Sequence, residues 1–104
     1  MAYKVIITSN AEDDLDRFLN YLVFYKENRK AALSVLEDFA ATKDVLTEVA
    51  GSLKLCSNPR LNELGYRRIN FQKHRYFMLY RIEGNLAIVD GIFHFLQDYE
   101  NKFI

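Results

Sequence analysis

The sequence predicts an α+β domain: an N-terminal strand, an antiparallel helical hairpin and a mainly antiparallel four-stranded sheet, in the order β-α-α-β-β-β, with a short helix at the C-terminus. Three observations lead there. Apolar residues recur every three or four positions between residues 11 and 50, the period of a helix. From residue 67 to 82 they recur every second position, the period of a strand with two different faces. At 104 residues and 50% hydrophobic, the chain is the size of one packed domain, 1–104, with enough apolar side chains to fill a core.

The elements follow in order. Tyr3, Val5 and Ile7 alternate with Lys4 and Thr8, which reads as a strand over 2–8. Ser9-Asn10-Ala11-Glu12 fits a capping box, with Asp13 and Asp14 in the positive first turn of the helix that follows. Ala11, Leu15, Phe18, Leu22 and Tyr25 extend that helix over 10–26. After a polar break at 26–29, a second helix carries Ala32, Val35, Leu36, Phe39, Leu46, Val49 and Ala50, and Gly51 is its expected stop. A short break between two amphipathic helices favours an antiparallel pair, whose apolar stripes cover a sheet. Residues 51–65 read as loop, with Asn58-Pro59 as a turn. Arg67, Ile69 and Phe71 then alternate with polar residues, and Tyr76, Met78, Tyr80 and Ile82 alternate with Phe77, Leu79 and Arg81. Glu83-Gly84-Asn85 is a hairpin turn. Leu86 to about Phe93 is nearly all apolar, as expected of a strand buried on both faces, and 96–103 reads as a short last helix.

Charge is balanced overall, 14 basic against 14 acidic side chains, which argues against indiscriminate nucleic-acid binding. It is unevenly placed. Residues 54–81 hold seven basic side chains and one acidic, a net +6, while each flank is −3. That asymmetry suits either a solvated face or an anionic partner. A single cysteine, Cys56, excludes an internal disulfide framework and an all-cysteine metal site. No apolar run reaches the ~18 residues of a membrane span, and the first residues lack a signal peptide's apolar core. A cytoplasmic protein without membrane attachment is expected. His74 and His94 are the only histidines, and neither lies in a metal-ligand spacing such as HExxH. There is no glycine-rich phosphate loop and no GxSxG elbow, so neither metal nor cofactor is expected.

Five segments, in order, resemble the RelE/ParE superfamily of bacterial toxins from type II toxin–antitoxin pairs. They are Tyr3-Lys4-Val5-Ile6-Ile7-Thr8 with Ala11 and Leu15; Lys30-Ala31-Ala32; Leu61 through Gly65-Tyr66-Arg67-Arg68-Ile69; Tyr76-Phe77-Met78-Leu79-Tyr80-Arg81-Ile82-Glu83-Gly84; and Phe93-His94 with Asp98-Tyr99-Glu100. The resemblance covers nearly the whole chain. It implies a toxin that arrests growth until a cognate antitoxin binds it. Some members of that superfamily cut messenger RNA on the ribosome without metal, using basic and aromatic side chains; others inhibit DNA gyrase. Relatives commonly carry arginines near the end of the last strand and just before the final Asp, where this chain has Gly91, Leu96 and Gln97.

The leading expectation is ribosome-dependent messenger RNA cleavage. The alternatives are a non-enzymatic gyrase inhibitor, which the missing arginines favour, and an inactive relative that binds only the antitoxin. Metal-free RNA cleavage needs a base, an acid and cations against the developing phosphorane charge. His74-Arg75, between two strands and beside Lys73, fits a general acid/base with a phosphate clamp, or an exposed polar turn. Arg81 lies on an apolar strand and needs an anion, either substrate phosphate or Asp90 of the next strand. His94 is a proton-transfer candidate or a core histidine. Arg67, Arg68, Lys73 and Tyr99 are candidates for RNA or partner contact, with salt bridges and packing of the last helix as the alternatives.

Overall fold

The computed structural model describes residues 2–102, and the side chains of residues 2–100. Strand β1 (Lys4–Ile7) leads directly into helix α1 (Ser9–Asn20). The cap is Thr8, one residue before the expected Ser9: its Oγ1 accepts from the Ala11 N–H at 3.2 Å. Thr8 can do this because its own N–H still bonds Val89 O at 3.1 Å, which keeps its backbone extended as an N-cap requires. The helical path expected over 10–26 is not uniform. Beyond Asn20 the chain widens into a π-helical turn, Tyr21–Tyr25, closed by Lys26 N–H on Tyr21 O at 3.0 Å. Glu27, at φ 51°, then reverses the chain.

Helix α2 (Arg29–Val49) is capped by Asn28, whose Oδ1 accepts from Ala31 N–H at 2.9 Å. Gly51 follows its end, yet its backbone is not left-handed. A Cβ there would run into the hydroxyl end of the Tyr3 ring, which would have to shift to admit it. The expected loop of 51–65 contains a short helix, α3 (Pro59–Glu63). Asn58-Pro59, read as a turn, is its N-cap and first residue, with Asn58 Oδ1 accepting from Arg60 and Leu61 N–H. Strands β2 (Arg67–Asn70), β3 (Tyr76–Glu83) and β4 (Leu86–His94) complete the sheet. The closing helix expected over 96–103 is a single turn, α4 (Tyr99–Lys102), among the described residues; residue 103 lies outside them.

The sheet order is β1-β4-β3-β2. The β2–β3 and β3–β4 pairs are antiparallel and β1 runs parallel to β4, so the sheet is mixed. Register slips between Leu79 and Tyr80, which pair with Gly91 and Val89, leaving Asp90 as the extra residue of a β-bulge. Asp14 of α1 fastens the bulge by accepting from Ile92 N–H at 3.0 Å. The burial of β4 on both faces is as expected, and the reason is two apolar clusters. Under the helices lie Leu15, Val35, Leu46, Ile69, Met78, Tyr80, Val89 and Ile92. On the opposite face Phe77, Leu79 and Phe93 pack with Cys56 and Leu61, and with the half-buried Tyr66 and Tyr99.

Candidate functional site

The face away from the helices carries a groove of about 450 Å³, bounded by residues 53–57 on one side and Arg68, Ile69, Asn70 and Tyr99 on the other. Residues 53–57 are held beside the free edge of β2 by a bridge between Leu55 and Arg67 and by Cys56 N–H on Tyr66 O at 2.9 Å. Arg67 adds to this brace, donating to the carbonyls of Leu53 and Gly51. It is thus committed to the loop after α2.

Arg68 is the central cation of the groove. Its guanidinium carbon lies 3.8 Å from the Phe77 ring centroid and 5.1 Å from that of Phe95, and its Nε donates to Asn70 Oδ1 at 2.9 Å. Tyr99 meets the same Phe77 ring edge-on, centroids 4.9 Å apart. A guanidinium held over aromatic rings is pre-ordered for contact with an anion. Burial pushes the Tyr99 phenol up. Burial also pushes the Cys56 thiol up, against an opposing effect of Arg68, so Cys56 is a neutral thiol and not a nucleophile. None of the described residues lining the groove is a histidine or a carboxylate. The groove can therefore hold an anion or stack a ring, but no proton-transfer pair of that kind lines it.

The four residues read as carriers of acid–base and phosphate chemistry lie outside the groove: His74, Arg75 and His94 are at one end of the β3–β4 pair and Arg81 is at the other. His74 turns toward α2: its Nδ1 bonds Asp38 Oδ2 at 2.7 Å and its Nε2 lies 3.2 Å from Ser34 Oγ. Asp38, 4% exposed, also accepts from the backbone N–H groups of Gln72, Lys73 and His74 at 2.8–3.0 Å. Burial acts to raise the Asp38 carboxyl, but these hydrogen bonds outweigh it and hold it below the ordinary carboxylate value. Lys73 and Arg75 are exposed in the same turn, and the Arg75 carbonyl accepts from Phe95 N–H at 3.0 Å. His94 accepts from Leu96 N–H at Nδ1, 3.1 Å away, and its ring meets the Tyr76 ring edge-on at 5.2 Å.

Arg81 is at the other end of β3 on the opposite face. Its Nε donates to Asp90 Oδ2 at 2.8 Å and Nη1 donates to Glu83. Tyr66 Oη donates to the same Asp90 oxygen at 2.7 Å. The bulge presents Asp90 to both partners. The Arg81 guanidinium is pushed up by these acceptors, and burial, reinforced by Asp90, pushes the Tyr66 phenol up to about 12. The four candidates thus form no common cleft, because side chains of alternate parity on β3 point to opposite faces and His74 and Arg81 sit at opposite ends of the strand.

Sequence reasoning missed Asp38, Ser34 and the Phe77–Phe95 platform. For Asp38 a signal existed: it lies on the buried stripe of α2 that runs through Val35, Thr42 and Leu46, where an acid requires donors. Nothing local marked Ser34. Among the described residues no group of three or more His, Cys, Asp or Glu could hold a metal ion. No helix among them is long and apolar enough to cross a membrane.

Comparison with known proteins agrees with this architecture. A family model described as the ParE toxin of type II toxin–antitoxin system, parDE, matches residues 5–99. No curated protein matches the chain. Among solved structures, the chromosomal ParDE toxin–antitoxin system from P. aeruginosa is similar at TM-score 0.70 and 21% identity, over 89% of this chain and 96% of that one. The RelBE2 toxin–antitoxin complex from Mycobacterium tuberculosis is similar at TM-score 0.56 and 22% identity, over 90% and 99% of the two chains. At these identities the two structures speak for the fold.

Proposed function

Because the chain belongs to the ParE toxin family of type II toxin–antitoxin systems, we propose that it arrests growth as a non-catalytic binder, with DNA gyrase as its target and a cognate antitoxin as its neutraliser. The observation that carries this reading is the separation of Arg81 from the two histidines, with each of the three bonded to a partner of its own. His74 is bonded to Asp38, His94 to the backbone that follows it, and Arg81 to Asp90 and Glu83. Each has a structural partner, and no two share one. Proton transfer in RNA cleavage requires base and acid within hydrogen-bond reach of one substrate. Binding requires only a shaped surface, which the Arg68–Tyr99 groove supplies. Gly91, Leu96 and Gln97, standing where the resemblance leads one to expect arginine, point the same way.

The test adds purified protein to gyrase with relaxed plasmid, and in parallel to translating ribosomes with a mapped messenger RNA. Loss of supercoiling with intact message is expected. Cuts in the ribosomal A site with unimpaired gyrase would overturn the reading. A second reading, messenger RNA cleavage, draws on the groove itself, where a stacked arginine and a tyrosine ring stand beside Lys54. Under it, Arg68→Ala would abolish message cutting, whereas under the first reading there are no cuts to abolish.

A further inference from the structure

Ser34, His74 and Asp38 are joined in series. Ser34 Oγ lies 3.2 Å from His74 Nε2, and His74 Nδ1 lies 2.7 Å from Asp38 Oδ2. Asp38 is buried, carries four hydrogen bonds including this one, and is held in its ionised form. An ionised carboxylate accepts only, so Nδ1 carries the proton in this pair. In the neutral ring Nε2 is then an acceptor, facing the Ser34 hydroxyl. That is a nucleophile, a base and a group that orients the base, in the sequence activated serines use. The supporting parts are rigid. Ser34 and Asp38 are one helical turn apart on α2, and the backbone of 72–74 is pinned to the same carboxylate. Ser34 is exposed, at the rim of a cleft of about 210 Å³ that it shares with Glu37, Asp38, Ala41, Gln72 and Lys73.

We propose that Ser34 is an activated nucleophile that takes an acyl group from activated carboxylic esters, with His74 as its base and Asp38 as the positioning residue. Ser34 Oγ attacks the ester carbonyl carbon while its proton passes to His74 Nε2. The tetrahedral oxyanion forms beside the cleft that Lys73 lines, which offers a cation for its charge. The carbon–oxygen bond to the leaving alcohol then breaks, and that oxygen takes the proton from His74. The products are acyl-Ser34 and the free alcohol. This chemistry is independent of gyrase binding and of the groove on the opposite face.

The test uses the full chain with p-nitrophenyl acetate, acid-quenched at intervals, with acetylation mapped by peptide mass spectrometry and nitrophenolate release followed in parallel. The other three serines, Ser9, Ser52 and Ser57, are exposed and serve as internal controls. Ser34 is expected to acetylate on the order of 100-fold faster than they do, the low end of what a positioned general base contributes. His74→Ala and His74→Gln should both bring Ser34 down to the control rate, and Ser34→Ala should remove the fast phase of nitrophenolate release. Ser34 reacting no faster than the other serines in the parent chain would overturn the proposal, whatever the stability of the His74 variants. So would a Ser34 rate unchanged in a folded His74→Gln chain.

Discussion

Asp38 has the densest set of hydrogen bonds of any single side chain described here, and it shows how one charge on a helix can shape a turn on the sheet. Its two oxygens accept from three consecutive backbone N–H groups and from the His74 ring. Asp38→Ala would take the acceptor away from those half-buried donors, at a cost of about 1–3 kcal/mol in urea unfolding. The folded carboxyl lies below its ordinary value, so its contribution is present above about pH 4 and is lost as pH falls through the lower folded value. An acid titration of stability should show that loss in the parent and not in Asp38→Ala. The residue scale is also where sequence reasoning divided most sharply. Arg81 was legible, because an arginine on an apolar strand demands an acid and Asp90 is close along the hairpin. The Asp38–His74 pair was not, because 36 residues separate the partners and only the stripe position of Asp38 hints at burial.

Among the elements, the helical hairpin and the three C-terminal strands were legible because hydrophobic period reports which face of an element is buried. Period does not report which strand lies beside which. Hence the parallel pairing of β1 with β4, the π-helical turn Tyr21–Tyr25 and the bulge at Asp90 escaped it. The docking of α2 on the sheet depends on one such unreadable contact: Tyr80, fully buried in β3, donates its hydroxyl to Ala50 O at the end of α2, 2.7 Å away. Tyr80→Phe keeps the ring but strands that carbonyl, so a loss of about 1–2 kcal/mol is expected by thermal or denaturant unfolding. The substitution has a second signature at high pH. Burial pushes the Tyr80 phenol up to about 12, so the folded state holds its proton where the unfolded chain, near 10, releases it. Stability therefore falls between about pH 10 and about 12. In Tyr80→Phe that share of the fall is absent, and the gap between parent and variant should narrow across the same window. The short helix α3 is a partial miss: Asn58-Pro59 reads as punctuation, but the helix it starts is too short to show a period.

At the scale of the whole molecule, family membership predicts that expression without a partner arrests growth and that the cognate antitoxin restores it; normal growth at high expression would contradict this. The net +6 of residues 54–81 is partly spent within the fold, since Arg81 is matched by Asp90 and Glu83. Lys54, Arg60, Arg68, Lys73 and Arg75 remain to draw an acidic partner, so antitoxin association should slow as salt rises. An on-rate indifferent to salt would count against that surface. The bulge carries a consequence of another kind. Upstream of Asp90 the strand is paired on both sides, with β1 and with β3; downstream it is paired with β3. The bulge takes one residue out of the alternation, so that Val89 and Ile92, three apart in the chain, both face the helices. Deleting Asp90 is thus unlike substituting it. Asp90→Ala removes an ion pair and keeps the bulge, whereas the deletion also closes the ladder, with Gly91 following Val89 and with Ile92 and Phe93 on the faces they already hold. Both variants should lower the unfolding midpoint, and the deletion should leave unfolding cooperative, because no core side chain after it changes face.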